Sequence, residues 1–233
     1  MLGYDAVGDP DRGSLSRHHG AQLRRTDMAD TTSPQASVKA RAGGFQGTDL
    51  ALIAVFAALV AVLSVIPPLF VVAAVPFALQ MVAVMLTPLV LGAVRGGAAL
   101  ALYLVVGLLG LPVFAGQSSG PGVLLGATGG FLIGYIAAAL AAGALATAVL
   151  RRRPRKPVLA VQLYLVALVD LVVVYAFGVA GMMINASLSL PAALAANGLF
   201  MVGDLVKALL AVAIAVAVLT AFPRLMPAVR APR

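Results

Sequence analysis

Several stretches of this chain stay apolar for the ~20 residues that a helix needs to cross a bilayer. That one feature removes most soluble folds from consideration. Of 233 residues, 62% are apolar and 10% charged, whereas a soluble domain is about 25% charged. A transmembrane β-barrel would instead show ~10-residue segments of alternating polarity, and the sequence has none. The chain reads as an all-α, polytopic membrane protein.

Residues 1–48 form a polar tail whose Asp, Arg, Ser, Thr and Gly content reads as disorder. It has no apolar stretch of the kind a signal peptide carries. Met28 opens a plausible second start, Met-Ala-Asp-Thr-Thr. Residues 49–222 hold six apolar segments, and a basic tail, 223–233, closes the chain. The segments run from about Asp49 to Ile66, Val75 to Val94, Gly97 to Leu111, Thr128 to Leu150, Val158 to Gly181 and Gly198 to Phe222. Pro67-Pro68 end the first, since proline cannot continue a helix. Residues 112–126 read as a Gly/Ser/Pro-rich loop, and 182–197 as a connector containing Asn185, Pro191 and Asn197.

Orientation follows from where the cations lie. The tail, the turn with Arg95, the loop Arg151-Arg152-Arg153-Pro154-Arg155-Lys156 and the end with Arg224, Arg230 and Arg233 are basic. The alternate pieces, 67–74, 112–126 and 182–197, contain no Lys or Arg. The expected arrangement is six transmembrane helices with both termini cytoplasmic and the uncharged connectors outside. The formal charge of +8 thus reads as a topology signal and a match to anionic lipid headgroups rather than to nucleic acid.

Within the last apolar run, Leu199 to Ala221, only Asp204 and Lys207 are charged. At i and i+3 they share a helix face. A charge at a helix centre in the bilayer costs ~2.5–3.5 kcal/mol on insertion scales, so such residues pair, face protein and mark sites. Counting from Gly198 at 1.5 Å per residue puts Asp204 about 9 Å and Lys207 about 14 Å along the helix. Gln80 and Asp170 fall at similar depth, so the four predict a polar pocket open to the exterior. Asp204 and Lys207 read either as a self-neutralising packing pair or as ligand-binding groups. Asp170 reads as a second partner for Lys207 or a packing residue, and Gln80 as a site residue or an interhelical hydrogen bonder. Phe114, Phe131 and Tyr135 beside the Gly-rich loop suit a lid over an apolar ligand. Ala54, Ala57, Ala58 and Ala61 make small-x-x-x-small pairs, which serve packing inside the chain or docking to a partner membrane protein.

Cysteine is absent and the two histidines, His18 and His19, lie in the tail, so thiol chemistry and an intramembrane histidine metal site are excluded. No cofactor or metal is expected. No G-x-x-x-x-G-K-[ST] phosphate loop occurs, so ATP hydrolysis is not expected of this chain and it is not read as an enzyme. An aspartyl protease dyad fits poorly, because a lysine one turn from Asp204 keeps that carboxylate ionised.

Four ordered motifs then carry a resemblance. Val75-Pro76-Phe77-Ala78-Leu79-Gln80, Gly107-Leu108-Leu109-Gly110-Leu111-Pro112-Val113-Phe114-Ala115-Gly116, Thr128-Gly129-Gly130-Phe131-Leu132-Ile133-Gly134 and Gly203-Asp204-Leu205-Val206-Lys207-Ala208 resemble the BioY family. These are the biotin-binding S components of energy-coupling factor (ECF) transporters. The resemblance spans about residues 50 to 222 and departs from the family at Ala127, usually Pro, and Ala78, commonly Thr. It implies six helices, an outward-facing biotin pocket, a cell-membrane location, and partnership with a transmembrane T component and two cytoplasmic ATPases that use the ATP. In that frame the Ala54, Ala57, Ala58 and Ala61 face suits the T component. Asp204 is expected to accept a ureido N–H, with Lys207 orienting it or donating to the ureido carbonyl. Gln80 adds a polar contact, Phe114 and Tyr135 cover apolar surface, and Asp170 completes the candidate site. An S component for another vitamin, a membrane scaffold without a pocket, and a biotin transporter working without ATPases are the competing readings.

Overall fold

The structure is a computed structural model that describes residues 46–66, 71–72, 75–76 and 79–225. The polar tail through residue 45, the second start at Met28, His18 and His19, Pro67-Pro68, Phe77 and Ala78, and the basic end with Arg230 and Arg233 lie outside the described residues. Among the described residues, five helices are long and apolar enough to cross a membrane. They are α1 (Gly47–Val65), α2 (Gln80–Leu108), α3 (Gly129–Arg151), α4 (Lys156–Asn185) and α5 (Leu190–Ala221). A two-residue antiparallel pair, β1 (Val71–Val72) and β2 (Val75–Pro76), lies between α1 and α2.

The count of five follows from the behaviour of α2 at Gly92. Its backbone there, φ 76° and ψ −174°, falls in a region that only glycine enters freely. Two contacts show that the chain doubles back. A Cβ on Gly96 would lie 3.1 Å from the Cα of Pro88, although eight residues of straight helix span about 12 Å. The side chains of Gln80 and Tyr103, twenty-three positions apart, meet at 3.4 Å. The second and third apolar segments are therefore antiparallel arms of one hairpin. The break falls at Gly92 and not at the Arg95 turn that the charge pattern predicted. Arg95 instead pairs with Asp49 at 2.9 Å, joining the reversal to the start of α1, where Asp49 also accepts the Gln46 N–H at 3.0 Å.

Two further boundaries correct the sequence expectation. Helix α2 begins at Gln80, because Val75 and Pro76 belong to the β pair. The expected connector 182–197 is mostly helix: α4 continues to Asn185 and α5 starts at Leu190. Pro191 stands in the first turn of α5, where a missing N–H breaks no bond. Asp204 is then fourteen residues along its helix, about 21 Å at 1.5 Å per residue, rather than about 9 Å.

Glycine sets how closely α3 meets its neighbours. A Cβ on Gly130 would strike the backbone of Phe177 and Gly181 on α4, and one on Gly134 would come within 2.8 Å of the Phe177 Cβ. At its other end α3 brings Gly143 against Gly92 and Ala93 of the reversal. These close approaches supply the van der Waals contact that holds helices together where the hydrophobic effect gives none. Replacing Gly92 with alanine adds a Cβ 2.7 Å from the Thr147 hydroxyl oxygen to a glycine-only conformation costing about 1–3 kcal/mol. Gly92→Ala is expected to lower the unfolding temperature of the purified protein by several degrees, read by thermal unfolding in detergent.

Candidate functional site

Asp204 and Lys207 extend from α5 into the helix interior, where both are almost wholly buried. Lys207 Nζ donates to Asp204 Oδ1 at 2.7 Å, and the Tyr175 hydroxyl on α4 donates to Asp204 Oδ2 at 2.8 Å. Both carboxylate oxygens thus have a donor. An ionised carboxylate offers roughly four lone-pair sites, so Asp204 keeps capacity for a further N–H or O–H. Tyr175 is itself fixed by an edge-on contact with Phe131, ring centroids 5.8 Å apart.

A second polar chain crosses from α1 to α3. Gln80 Nε2 donates to the hydroxyls of Tyr103 at 3.4 Å and Tyr135 at 3.3 Å. Tyr103 lies 3.1 Å from Ser64 Oγ and donates to the Val113 carbonyl at 3.2 Å. Ser64 also donates to the Val60 carbonyl at 2.7 Å. With both amide hydrogens of Gln80 engaged, its carbonyl oxygen is what this side chain has left to offer.

Asp204, Lys207 and Tyr175 of the first group and Gln80 and Tyr135 of the second line a cavity of about 220 Å³, with Phe114, Phe131, Phe200 and Val174 supplying apolar surface. Of the six residues singled out from the sequence, Gln80, Phe114, Tyr135, Asp204 and Lys207 all line it. Asp170 does not. It is fully buried on α4, and neither carboxylate oxygen has a hydrogen-bond partner among the described residues. Tyr175, Asn197, Thr128 and Ser118 also line the cavity, and the sequence did not single them out as site residues. For Tyr175 the available signal was a phenolic hydroxyl inside an apolar span, which needs a partner. Asn197, held by the Ala193 carbonyl at 2.7 Å, stands on α5 and not in a connector.

The loop after α2 is built as a fixed cover. Phe114 is buried against Tyr103, ring centroids 5.5 Å apart and edge-on. Its ring occupies the space where a Cβ on Gly107 would fall. Phe114 pairs with Ser118 as an isolated bridge, and Gly120 N–H donates to the Gly107 carbonyl at 2.8 Å. Asn185, at the end of α4, donates to the carbonyls of Leu124 at 2.8 Å and Gly126 at 3.0 Å. Loop 112–126 is therefore clamped at both ends rather than free. The arrangement offers a fixed carboxylate, an ammonium, amide groups and aromatic faces to one small, partly polar molecule, the usual composition of a ligand cavity.

Ala54, Ala57, Ala58 and Ala61 lie elsewhere, along an apolar groove of about 270 Å³ shared with Leu102, Val106 and Leu111. Ala54 and Ala58 are exposed, Ala61 is half-buried and Ala57 is buried.

Fold and cavity together define a multi-pass helical membrane protein with a small, partly polar cavity among its helices. The sequence profile of the BioY family matches residues 34–224. A biotin transporter BioY of Rhizobium etli is 35% identical over 77% of this chain and 97% of that protein. One of Rhodobacter capsulatus is 36% identical over 68% of this chain and 86% of that protein. Among solved structures, the S component for biotin from an ECF-type ABC transporter superposes with a TM-score of 0.65 at 23% identity. That likeness of fold covers 76% of this chain and 95% of the other. The chain belongs to the BioY family.

Loss of the loop clamp has a local readout. Asn185→Ala removes two hydrogen bonds, worth about 1 kcal/mol each. Amide exchange across residues 120–126 is expected to rise by about tenfold or more, while the centre of α3 is unchanged; mass-spectrometric hydrogen exchange measures both.

Proposed function

We propose that this chain captures biotin for uptake, as the membrane-embedded substrate-binding subunit of an ECF-type transporter. The observation that carries the reading is the Asp204 carboxylate, held by Lys207 and Tyr175 in the cavity wall of a chain that belongs to the BioY family. Biotin has two ureido N–H donors and a ureido carbonyl, an apolar thioether ring and chain, and a terminal carboxylate. The remaining acceptor capacity of Asp204 takes a ureido N–H. Lys207 holds the carboxylate in place. Gln80 and Asn197 supply further polar contacts, and the aromatic surfaces of Phe114, Tyr135 and Phe131 cover the ring system.

In this reading α2 supplies two crossings, one per arm, which makes six with α1, α3, α4 and α5. Both termini face the cytoplasm, a reading supported by Arg95, Arg151 and Arg224 lying around one cavity and by the alternation of basic and uncharged connectors in the sequence. The ligand cavity opens on the other face of the cell membrane. The chain performs no chemistry itself: ATP is hydrolysed by two partner ATPases, coupled through a transmembrane T component. The exposed small-residue groove of α1, with Ala54, Ala57, Ala58 and Ala61, is where that component seats, because small side chains let helix backbones approach closely.

Binding of labelled biotin to the purified chain tests the site. A hydrogen bond to a charged group is worth about 1.5–3 kcal/mol, so Asp204→Asn is expected to weaken binding by roughly ten- to a hundredfold. Tyr175→Phe removes a donor to the same carboxylate and should lower affinity with the fold retained. Lys207→Ala leaves a buried charge unpaired, a loss of about 3–5 kcal/mol, and should abolish binding. Near-wild-type affinity in Asp204→Asn and Lys207→Ala would sink the site. Tight binding of another vitamin in place of biotin would overturn the ligand.

A further inference from the structure

Arg95, Arg151 and Arg224 come from three separate elements, the reversal of α2, the end of α3 and the turn after α5, and line one cavity of about 670 Å³. It is distinct from the ligand cavity. Tyr135 lines that one and Thr147 this one, twelve residues apart on α3 and so about 18 Å along its axis.

No acidic side chain lines this cavity among the described residues. Asp49 meets Arg95 through Nε at 2.9 Å from outside the lining, which itself carries three arginines. Arg151 and Arg224 are exposed. Thr147 donates its hydroxyl to the Gly143 carbonyl at 2.7 Å, so recognition of an anion falls to the guanidinium groups. Their planar forks match phosphate oxygens in pairs. The rest of the lining is apolar, Leu91, Ala93, Val94, Ala144 and Leu225, and Val94 is largely exposed. A cavity lined by arginines and apolar side chains together, at the end of membrane-length helices, stands where headgroups meet hydrocarbon. Basic pockets between helices are the usual seats of anionic headgroups.

We propose that the cavity at the Gly92 reversal binds a phosphate group, as carried by an anionic phospholipid headgroup, through Arg95, Arg151 and Arg224. The site does not depend on the identity of the ligand in the other cavity.

Native mass spectrometry of the full chain, released from detergent with phosphatidylglycerol, phosphatidylcholine or inorganic phosphate, tests this. The wild-type protein is expected to retain phosphatidylglycerol over phosphatidylcholine. The double variant Arg151→Gln/Arg224→Gln should lose that retention by roughly tenfold or more. Arg152→Gln/Arg155→Gln removes the same charge from residues outside the cavity lining and should leave retention near wild type. Retention unaffected by inorganic phosphate supports the lipid as the source, and displacement by it supports a site that also takes the free anion. Equal retention of the two lipids, equal loss in both double variants, or full retention in Arg151→Gln/Arg224→Gln overturns the site. Unfolding temperatures of both variants, measured alongside, separate loss of lipid from loss of fold.

Discussion

Inside hydrocarbon a polar side chain has only protein to bond to, and that constraint organises this molecule. Backbone groups meet it by forming helices. Side chains meet it by clustering: Asp204 with Lys207 and Tyr175, and Gln80 with Tyr103, Tyr135 and, through Tyr103, Ser64. Each cluster ties together elements that are distant in sequence, so the demand for partners also fixes helix registry. Helices α1, α2 and α3 are joined by one cluster, and α4 and α5 by the other. Members of both clusters line the cavity.

The part of this arrangement visible in the sequence is the part with a high cost. Two charges in an apolar run, and a glutamine at the edge of another, stand out because hydrocarbon penalises them. They were legible without any contact information. Asp170 was equally conspicuous, yet counting residues along a helix gives axial depth and not direction, and its carboxylate is absent from the cavity lining. Tyr175 was passed over because a tyrosine in an apolar span is ordinary until its hydroxyl's partner, on another helix, is known. Asn197 was hidden by Pro191, which reads as a loop breaker but stands where a helix begins.

The fold was legible as apolar helices and less so in its joints. Arg95 drew the expected turn toward itself because charge marks a membrane edge. The device that reverses α2 is Gly92, a residue with no side chain to notice. The Gly-rich stretch after α2 read as a loop, and the glycines in it and at the end of α2 serve contact. Gly107 makes room for the Phe114 ring, and Gly120 closes a hydrogen bond to the Gly107 carbonyl. Composition alone does not separate a glycine that permits motion from one that permits contact.

The two donors on Asp204 differ in kind. Lys207 rides on the same helix, one turn away, so a rigid displacement of α5 carries acid and base together and leaves their bond at its original length. Tyr175 belongs to α4, and its 2.8 Å bond cannot survive the same displacement. The carboxylate is therefore half anchored to its own helix and half to a neighbour. Any parting of α4 from α5 would break the Tyr175 bond and leave the bond to Lys207 in place.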